Sequence, residues 1–181
     1  AMTVNLYDRV DGAAMMDDVS KPVKQAGHIV DRLRSEWNLS AWVDRPDRPD
    51  LITLAMYLEA CTPPDARVFV QPYMPQVLGL SRRAFAGGHA DLRPGFFNAP
   101  DAQRLTIARL GRQDVPVALL ETDAGNRNFR KSFPLVTAYL DEHYEAVATH
   151  VFDGRFGVQL LARKELRSTQ RFALLDWPCY H

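Results

Sequence analysis

Basic and aromatic residues gather in two stretches that each follow a short apolar run. The first is "QPYMPQVLGLSRRAFAGGH", residues 71–89, after "ARVFV", and the second is "ETDAGNRNFRK", residues 121–131, after "VPVALL". Guanidinium and ammonium groups beside an aromatic ring suit the recognition of phosphate or sugar. Both stretches together predict one ligand-binding recess, with these candidate residues: Gln71, Tyr73, Arg82, Arg83, His89, Arg127, Arg130 and Lys131.

The same stretches are also compatible with ordinary solvent-exposed connectors, in which the aromatic rings pack and the adjacent glycines allow positive φ angles. Glu121 and Asp123 could act as general acid and base, although carboxylates at strand ends often only cap the next turn. No nucleophile–base spacing, P-loop or metal-ligand spacing occurs in the sequence. We therefore expect no catalytic residue, no metal and no cofactor in this chain.

Apolar periodicity predicts the elements that position these residues. Helical spacing begins near Val19 and again near Leu51, and Asn98-Ala99-Pro100 starts a further helix. The pair Asp153-Gly154 is typical of a hairpin turn. Strands are expected near residues 67–71, 116–121, 145–152 and 156–162.

Alternating strands and helices favour right-handed crossovers and a parallel sheet. We predict a small three-layer, Rossmann-like α/β sandwich, with a mostly parallel sheet and a C-terminal antiparallel β-hairpin. The first two strands should be parallel neighbours, so that the loops after them meet at the carboxyl edge of the sheet, where such folds bind ligands. The GxGxxG dinucleotide fingerprint is absent.

Length and composition limit the class of protein. The 181 residues suffice for one domain, which we place at residues 19–163, between an N-terminal arm (1–18) and a C-terminal tail (164–181). The 22 basic and 22 acidic residues give no net charge, which argues against a nucleic-acid partner. No apolar run approaches the ~20 residues that span a bilayer. Cys61 and Cys179 are compatible with two thiols or, in an oxidising compartment, with one disulfide.

Much of the chain from Leu51 to Arg163 resembles a known family. The motifs are "YLEACTPPDARVFVQPYMPQVLGLSRRAFAGG", "RLGRQDVPVALLET" and "FPLVTAYLDEHYEAVATHVFDGRFGVQLLAR". They are similar to the C-terminal extracytoplasmic domain of bacterial polytopic membrane glycosyltransferases of the protein-mannosyltransferase-like type, which use lipid-linked sugars.

The resemblance implies an accessory domain that shapes or covers the acceptor side, at the periplasmic face of the inner membrane. Its partners would be the membrane portion of the same polypeptide and either a lipid-linked sugar or an anionic phospholipid. The family's catalytic acid lies in the membrane portion, so this chain alone would not be an enzyme. Two alternatives stay open: a free-standing cytoplasmic α/β module that binds a small phosphorylated ligand, and a soluble transferase with its site at residues 71–93.

Overall fold

The computed structural model describes six ranges of the chain: residues 50–71, 73–89, 92–93, 95–152, 156–168 and 170–181. All of them belong to one structural unit, residues 42–181. The predicted N-terminal arm, the helix predicted from Val19 and the Asp153-Gly154 turn lie outside the described residues.

Five helices occur in the described residues. Three of them carry proline in the first turn, where the missing N–H costs nothing because it would have no partner inside the helix. The fourth helix, "DAGNRNFRKS", differs from the others because its residues have low helix propensity, and it follows closely on a strand. The helices are α1 (Asp50–Cys61), α2 (Pro75–Ser81), α3 (Pro100–Leu110), α4 (Asp123–Ser132) and α5 (Pro134–His143).

Seven strands in the described part of the chain form two sheets. The larger sheet has the order β2-β1-β3-β5-β4, in which β1 runs parallel to β2 and β3, and β5 runs antiparallel to β3 and β4. The last two strands pair only with each other. The strands are β1 (Arg67–Val70), β2 (Ala84–Phe85), β3 (Val117–Glu121), β4 (Tyr144–Phe152), β5 (Phe156–Arg163), β6 (Gln170–Phe172) and β7 (Trp177–Cys179).

The α/β class, the parallel pairing of β1 with β3 and the antiparallel pairing of β4 with β5 are confirmed. The Rossmann-like, mostly parallel form of the prediction is not confirmed, because the long ladders β3–β5 and β4–β5 are both antiparallel. The physical reason is the place of the hairpin in the sheet. Its two strands are joined by only residues 153–155 and so pair antiparallel, and its second strand, β5, lies beside β3 and runs in the opposite direction.

Alternating side chains of the sheet contribute to two separate clusters of buried residues. Val68 and Val70 of β1 pack in a cluster with α1, α2 and the β6–β7 hairpin. Phe69, between them, packs in the cluster that contains residues of α3, α4 and α5, and its ring lies 6.2 Å from that of Phe129. This period of two is what a strand buried on both faces requires.

Residues 170–180, which we call the C-terminal clasp, replace the expected tail. A disulfide joins Cys179 of β7 to Cys61 at the end of α1, across 118 residues of chain. The Tyr180 N–H donates to the Cys61 carbonyl at 2.8 Å, and the Tyr57 hydroxyl donates to the Pro178 carbonyl at 2.8 Å. The clasp has too few regularly spaced apolar residues to predict strands, and it is held by these tertiary contacts instead.

Candidate functional site

The carboxyl ends of β1 and β3 lie side by side, as predicted, and Gln71 connects them. Its N–H donates to the Leu119 carbonyl at 2.9 Å, and its Oε1 accepts from the Glu121 N–H at 3.0 Å. The side chain is buried. Gln71 therefore fixes the spacing of the two strand ends, and its amide oxygen is engaged by the protein itself.

The turn from β3 into α4 is the position where a Rossmann-like fold would hold a phosphate. Here the Glu121 carboxylate lies against Gly125, so close that a methyl group added at Gly125 would collide with Glu121 Oε2. The N-terminus of a helix attracts anions because its first N–H groups lack helical partners. A carboxylate of the chain itself therefore lies at this position.

Arg83 is a buried structural residue. Its Nε donates to Thr62 Oγ1 at 2.9 Å, and its terminal nitrogens donate to the carbonyls of Ser81, Glu59 and Thr62 at 3.0, 2.9 and 2.8 Å. Burial lowers the pKa of the guanidinium, while Glu59 and Asp65 act in the opposite direction. The guanidinium satisfies carbonyls at the end of α1 and in the residue after it, and the cation complements the negative end of the helix dipole.

The two neighbouring arginines lie at the wrong edge of the sheet for the predicted recess. In the parallel pairing of β1 and β2, Ala84 is the partner of Arg67, so the residues before Ala84 lie beside the amino ends of the strands. Arg82 is exposed there, in a left-handed conformation with φ 55° that ends α2. The prediction missed α2, which carries the chain back from the carboxyl edge to the amino edge.

The cations of α4 also do not form one group with the first stretch. The Arg130 guanidinium donates to both carboxylate oxygens of Asp141, at 2.9 and 3.1 Å, and to Asn126 Oδ1 at 3.1 Å. Asp141 lies in the last turn of α5, just before β4 begins. Arg130 therefore links α4 to α5, while Arg127 and Lys131 are exposed on α4.

The carboxyl edge of β1 and β2 instead presents exposed aromatic rings around a guanidinium. Arg93 lies over both the Tyr73 ring and the Phe96 ring, at 5.5 Å from each centroid. Tyr73 is 58% exposed and Phe96 is 56% exposed. Rings and cation at this distance attract one another, since the ring face carries negative charge.

His89 and Phe97 extend this group. Their rings stack with centroids 4.0 Å apart. Burial, and then the charge of Arg109, lower the pKa of His89, so the neutral imidazole is the main form at neutral pH. We call Tyr73, His89, Arg93, Phe96 and Phe97 the aromatic patch.

The two glycines before His89 have positive φ angles, 75° for Gly87 and 82° for Gly88, as predicted. The Gly87 N–H donates to Gln113 Oε1 at 2.9 Å. The Arg109 side chain lies directly against Gly88, where an added methyl group would collide with one of the terminal nitrogens of Arg109. The glycines thus let α3 approach closely and hold His89 in place beneath Phe97.

The sequence prediction included Tyr73 and His89 among the candidate residues but missed the phenylalanines of the patch, because it assigned them to packing. Phe69 is buried, but Phe85, Phe96 and Phe97 are exposed. The available signal was "RPGFFN": two adjacent phenylalanines in a proline-glycine turn cannot both point into one core. Among the described residues no group of His, Cys, Asp and Glu could hold a metal ion. None of the helices in the described ranges has the length and apolar character to cross a membrane.

No protein-family model matches this chain, and no curated protein or solved structure matches it either. The resemblance to membrane glycosyltransferases therefore remains a prediction from the sequence motifs.

Proposed function

We propose that this chain is an accessory domain of a membrane-bound, glycosyltransferase-like protein, exposed at the periplasmic face of the inner membrane. It shapes or covers the side at which the acceptor and the lipid-linked sugar meet, and the membrane portion of the same polypeptide carries the catalytic acid. The observation that supports this proposal most strongly is the Cys61–Cys179 disulfide.

Disulfides persist in oxidising compartments and are rare in the cytosol, where thiols are kept reduced. Both half-cystines are 1% exposed, so the bond is part of the core and not a surface thiol pair suited to catalytic exchange. It closes a long loop and fastens the C-terminal clasp to α1. A domain that depends on such a bond is better suited to the periplasm than to the cytoplasm.

The cytoplasmic alternative, a module for a small phosphorylated ligand, has less support. It would need several free cations at the carboxyl edge of the sheet. Arg83 is bonded to carbonyls near the amino edge, and Arg130 is bonded to Asp141. The carboxylate of Glu121 lies at the start of α4, where a phosphate would otherwise bind.

The compartment is tested in cells by the reactivity of the two cysteines. Cells are denatured in acid, which preserves the redox state of the cysteines and exposes them, and the protein is then labelled with a thiol-reactive polymer maleimide, with and without prior reduction. Its shift is followed on a gel. We expect no shift without reduction and a double shift after it. A double shift without reduction would argue for the cytoplasmic alternative.

The accessory role is tested by the upstream coding sequence and by a deletion of this domain. The coding sequence upstream of Thr3 should contain several apolar segments of about 20 residues each. Deleting residues 51–181 from the complete protein should abolish sugar transfer from the lipid-linked donor, while the isolated chain transfers nothing. Turnover by the isolated chain would contradict the proposal.

A further inference from the structure

We propose that the aromatic patch docks on the surface of a lipid bilayer, with the phenylalanine rings among the upper acyl chains and Arg93 at the level of the lipid phosphates. The inference deepens the proposed function and rests on it for the identity of the membrane. It names the face of the domain that lies against that membrane.

Exposure is the first observation. Tyr73, Phe96 and Phe97 each leave about half of the side chain in solvent, within one patch. Tyr57, Phe129 and Trp177 are buried by contrast, and Phe85 is 40% exposed. A contiguous group of exposed apolar rings marks a surface that another phase or molecule covers.

The chemistry of the patch fits a bilayer surface. Tyrosine rings are enriched at the membrane interface, and phenylalanines on exposed surfaces insert beside the headgroups. The stacked guanidinium of Arg93 places a cation at the depth of the rings, where anionic lipid phosphates lie.

The backbone presents the two phenylalanines at the tip of a turn. Gly95 has φ 91°, and Phe97 has φ 57°, a conformation that is uncommon for a residue other than glycine. The stack of Phe97 on His89, with Gly88 and Arg109 behind it, holds this turn. A strained turn that exposes two apolar rings is a feature that folding alone does not favour.

A bilayer fits better than a carbohydrate ligand. A sugar site needs several polar groups aimed at hydroxyls around its aromatic platform. Of the polar side chains in the patch, His89 and Arg93 lie against its own rings. The disulfide lies beside the amino ends of β1 and β2, whereas the patch lies at their carboxyl ends. Docking of the patch on a bilayer would therefore leave the clasp uncovered.

The test is cosedimentation of the chain with lipid vesicles. The wild type is compared with a Phe96→Ser, Phe97→Ser variant and with a matched control, Leu174→Ser, which removes a 40% exposed apolar side chain from the turn of the clasp. Vesicles of phosphatidylcholine alone and vesicles that also contain phosphatidylglycerol are used at low and high salt. Thermal unfolding verifies that all three proteins are folded.

We expect the double serine variant to lose vesicle binding by about tenfold or more, because each ring that leaves water contributes through its buried apolar area. The control should bind like the wild type. Phosphatidylglycerol should strengthen binding of the wild type, and salt should weaken that gain because exposed charges are screened.

Equal binding of the wild type and the double variant would overturn the proposal, and so would a wild type that binds neither kind of vesicle at low salt. If soluble sugars bind at the patch while vesicles do not, the patch is a carbohydrate site. The outcome is independent of the cysteine test: reactive thiols in cells would refute the periplasmic assignment and leave vesicle binding intact.

Discussion

The region around the end of α1 and the aromatic patch use the same residue types, yet one region buries them and the other exposes them. At the end of α1, the Tyr57 ring meets the Trp177 and Phe172 rings edge-on at 5.1 and 5.7 Å, and Arg83 donates four hydrogen bonds. In the patch, Arg93 stacks on rings that are more than half exposed.

The difference shows what decides between a structural and a binding role. A buried tyrosine or arginine is tolerated only when its polar atoms have partners, and around α1 those partners are supplied by backbone carbonyls. The patch supplies ring contacts but leaves apolar area in water. Its exposed rings are therefore available for the contact with a bilayer that we propose.

The largest expected effect is loss of the disulfide. A Cys61→Ala, Cys179→Ala variant should lose about 2–5 kcal/mol of the free energy of unfolding, because the bond closes a long loop in the unfolded chain. Urea unfolding at neutral pH measures this. The wild type in a reductant should approach the variant, and the variant itself should not respond to the reductant. Equal unfolding midpoints of the wild type and the variant would mean that packing alone holds the clasp on α1.

Arg82 and Arg83 allow a direct comparison of an exposed and a buried cation. Arg83→Met keeps most of the side-chain volume but leaves the carbonyls of Glu59 and Thr62 without their donor, and we expect a loss of about 2–3 kcal/mol. Arg82→Met changes an exposed side chain and should alter stability by less than about 0.5 kcal/mol. Thermal and urea unfolding of the two variants compare them directly. Similar losses in both would show that Arg83 is not the structural residue that its contacts indicate.

Alkaline pH tests the buried tyrosines. Burial raises the pKa of Tyr144 to about 12, an effect that Arg163 partly opposes. Its hydroxyl donates to the Val115 carbonyl at 2.9 Å. Below pH 10 both the folded and the unfolded chain hold this proton. Between about pH 10 and 12 only the unfolded chain releases it, so stability falls there by about 2 kcal/mol.

A Tyr144→Phe variant should be less stable at neutral pH by about 1 kcal/mol, through the lost hydrogen bond. Its stability should then decline less steeply than that of the wild type above pH 10. Burial also raises the pKa of Tyr57, so Tyr57→Phe should act in the same direction. Parallel declines in the wild type and both variants would contradict this assignment.

The four strands β1, β3, β4 and β5 were predictable because their signal is local, whereas β2, β6 and β7 were not predicted. "VPVALL" is a continuous apolar run, and β3 is buried along most of its length. Pairing of β1 with β3 followed from the alternation of strands and helices. α4 was not predictable, since Phe129 is its only large apolar residue and it is held by the rings of Phe69 and Phe133.

The site was less predictable than the fold. Arg82 and Arg83 look equivalent in the sequence. Arg82 is exposed and Arg83 is buried only because α2 returns the chain to the amino edge of the sheet and a turn follows it. The same holds for Glu121, whose role depends on Gly125 leaving room for its carboxylate. Side-chain partners of this kind come from tertiary packing and not from residue type or spacing.

The smallest effect on stability is expected for a substitution of Phe97 in the aromatic patch. Phe97 has a left-handed backbone conformation that asparagine adopts more readily, and its ring is 49% exposed. In Phe97→Asn the relief of backbone strain should offset the lost stack on His89, so the free energy of unfolding should stay within about 0.5 kcal/mol of the wild type. Vesicle binding should nevertheless fall, because the ring is absent. Urea unfolding and cosedimentation on the same preparation separate the two properties. A loss of more than about 1.5 kcal/mol would mean that the ring belongs to the folded core like those around α1. Unchanged stability with weaker binding would show that the ring is retained for an external contact.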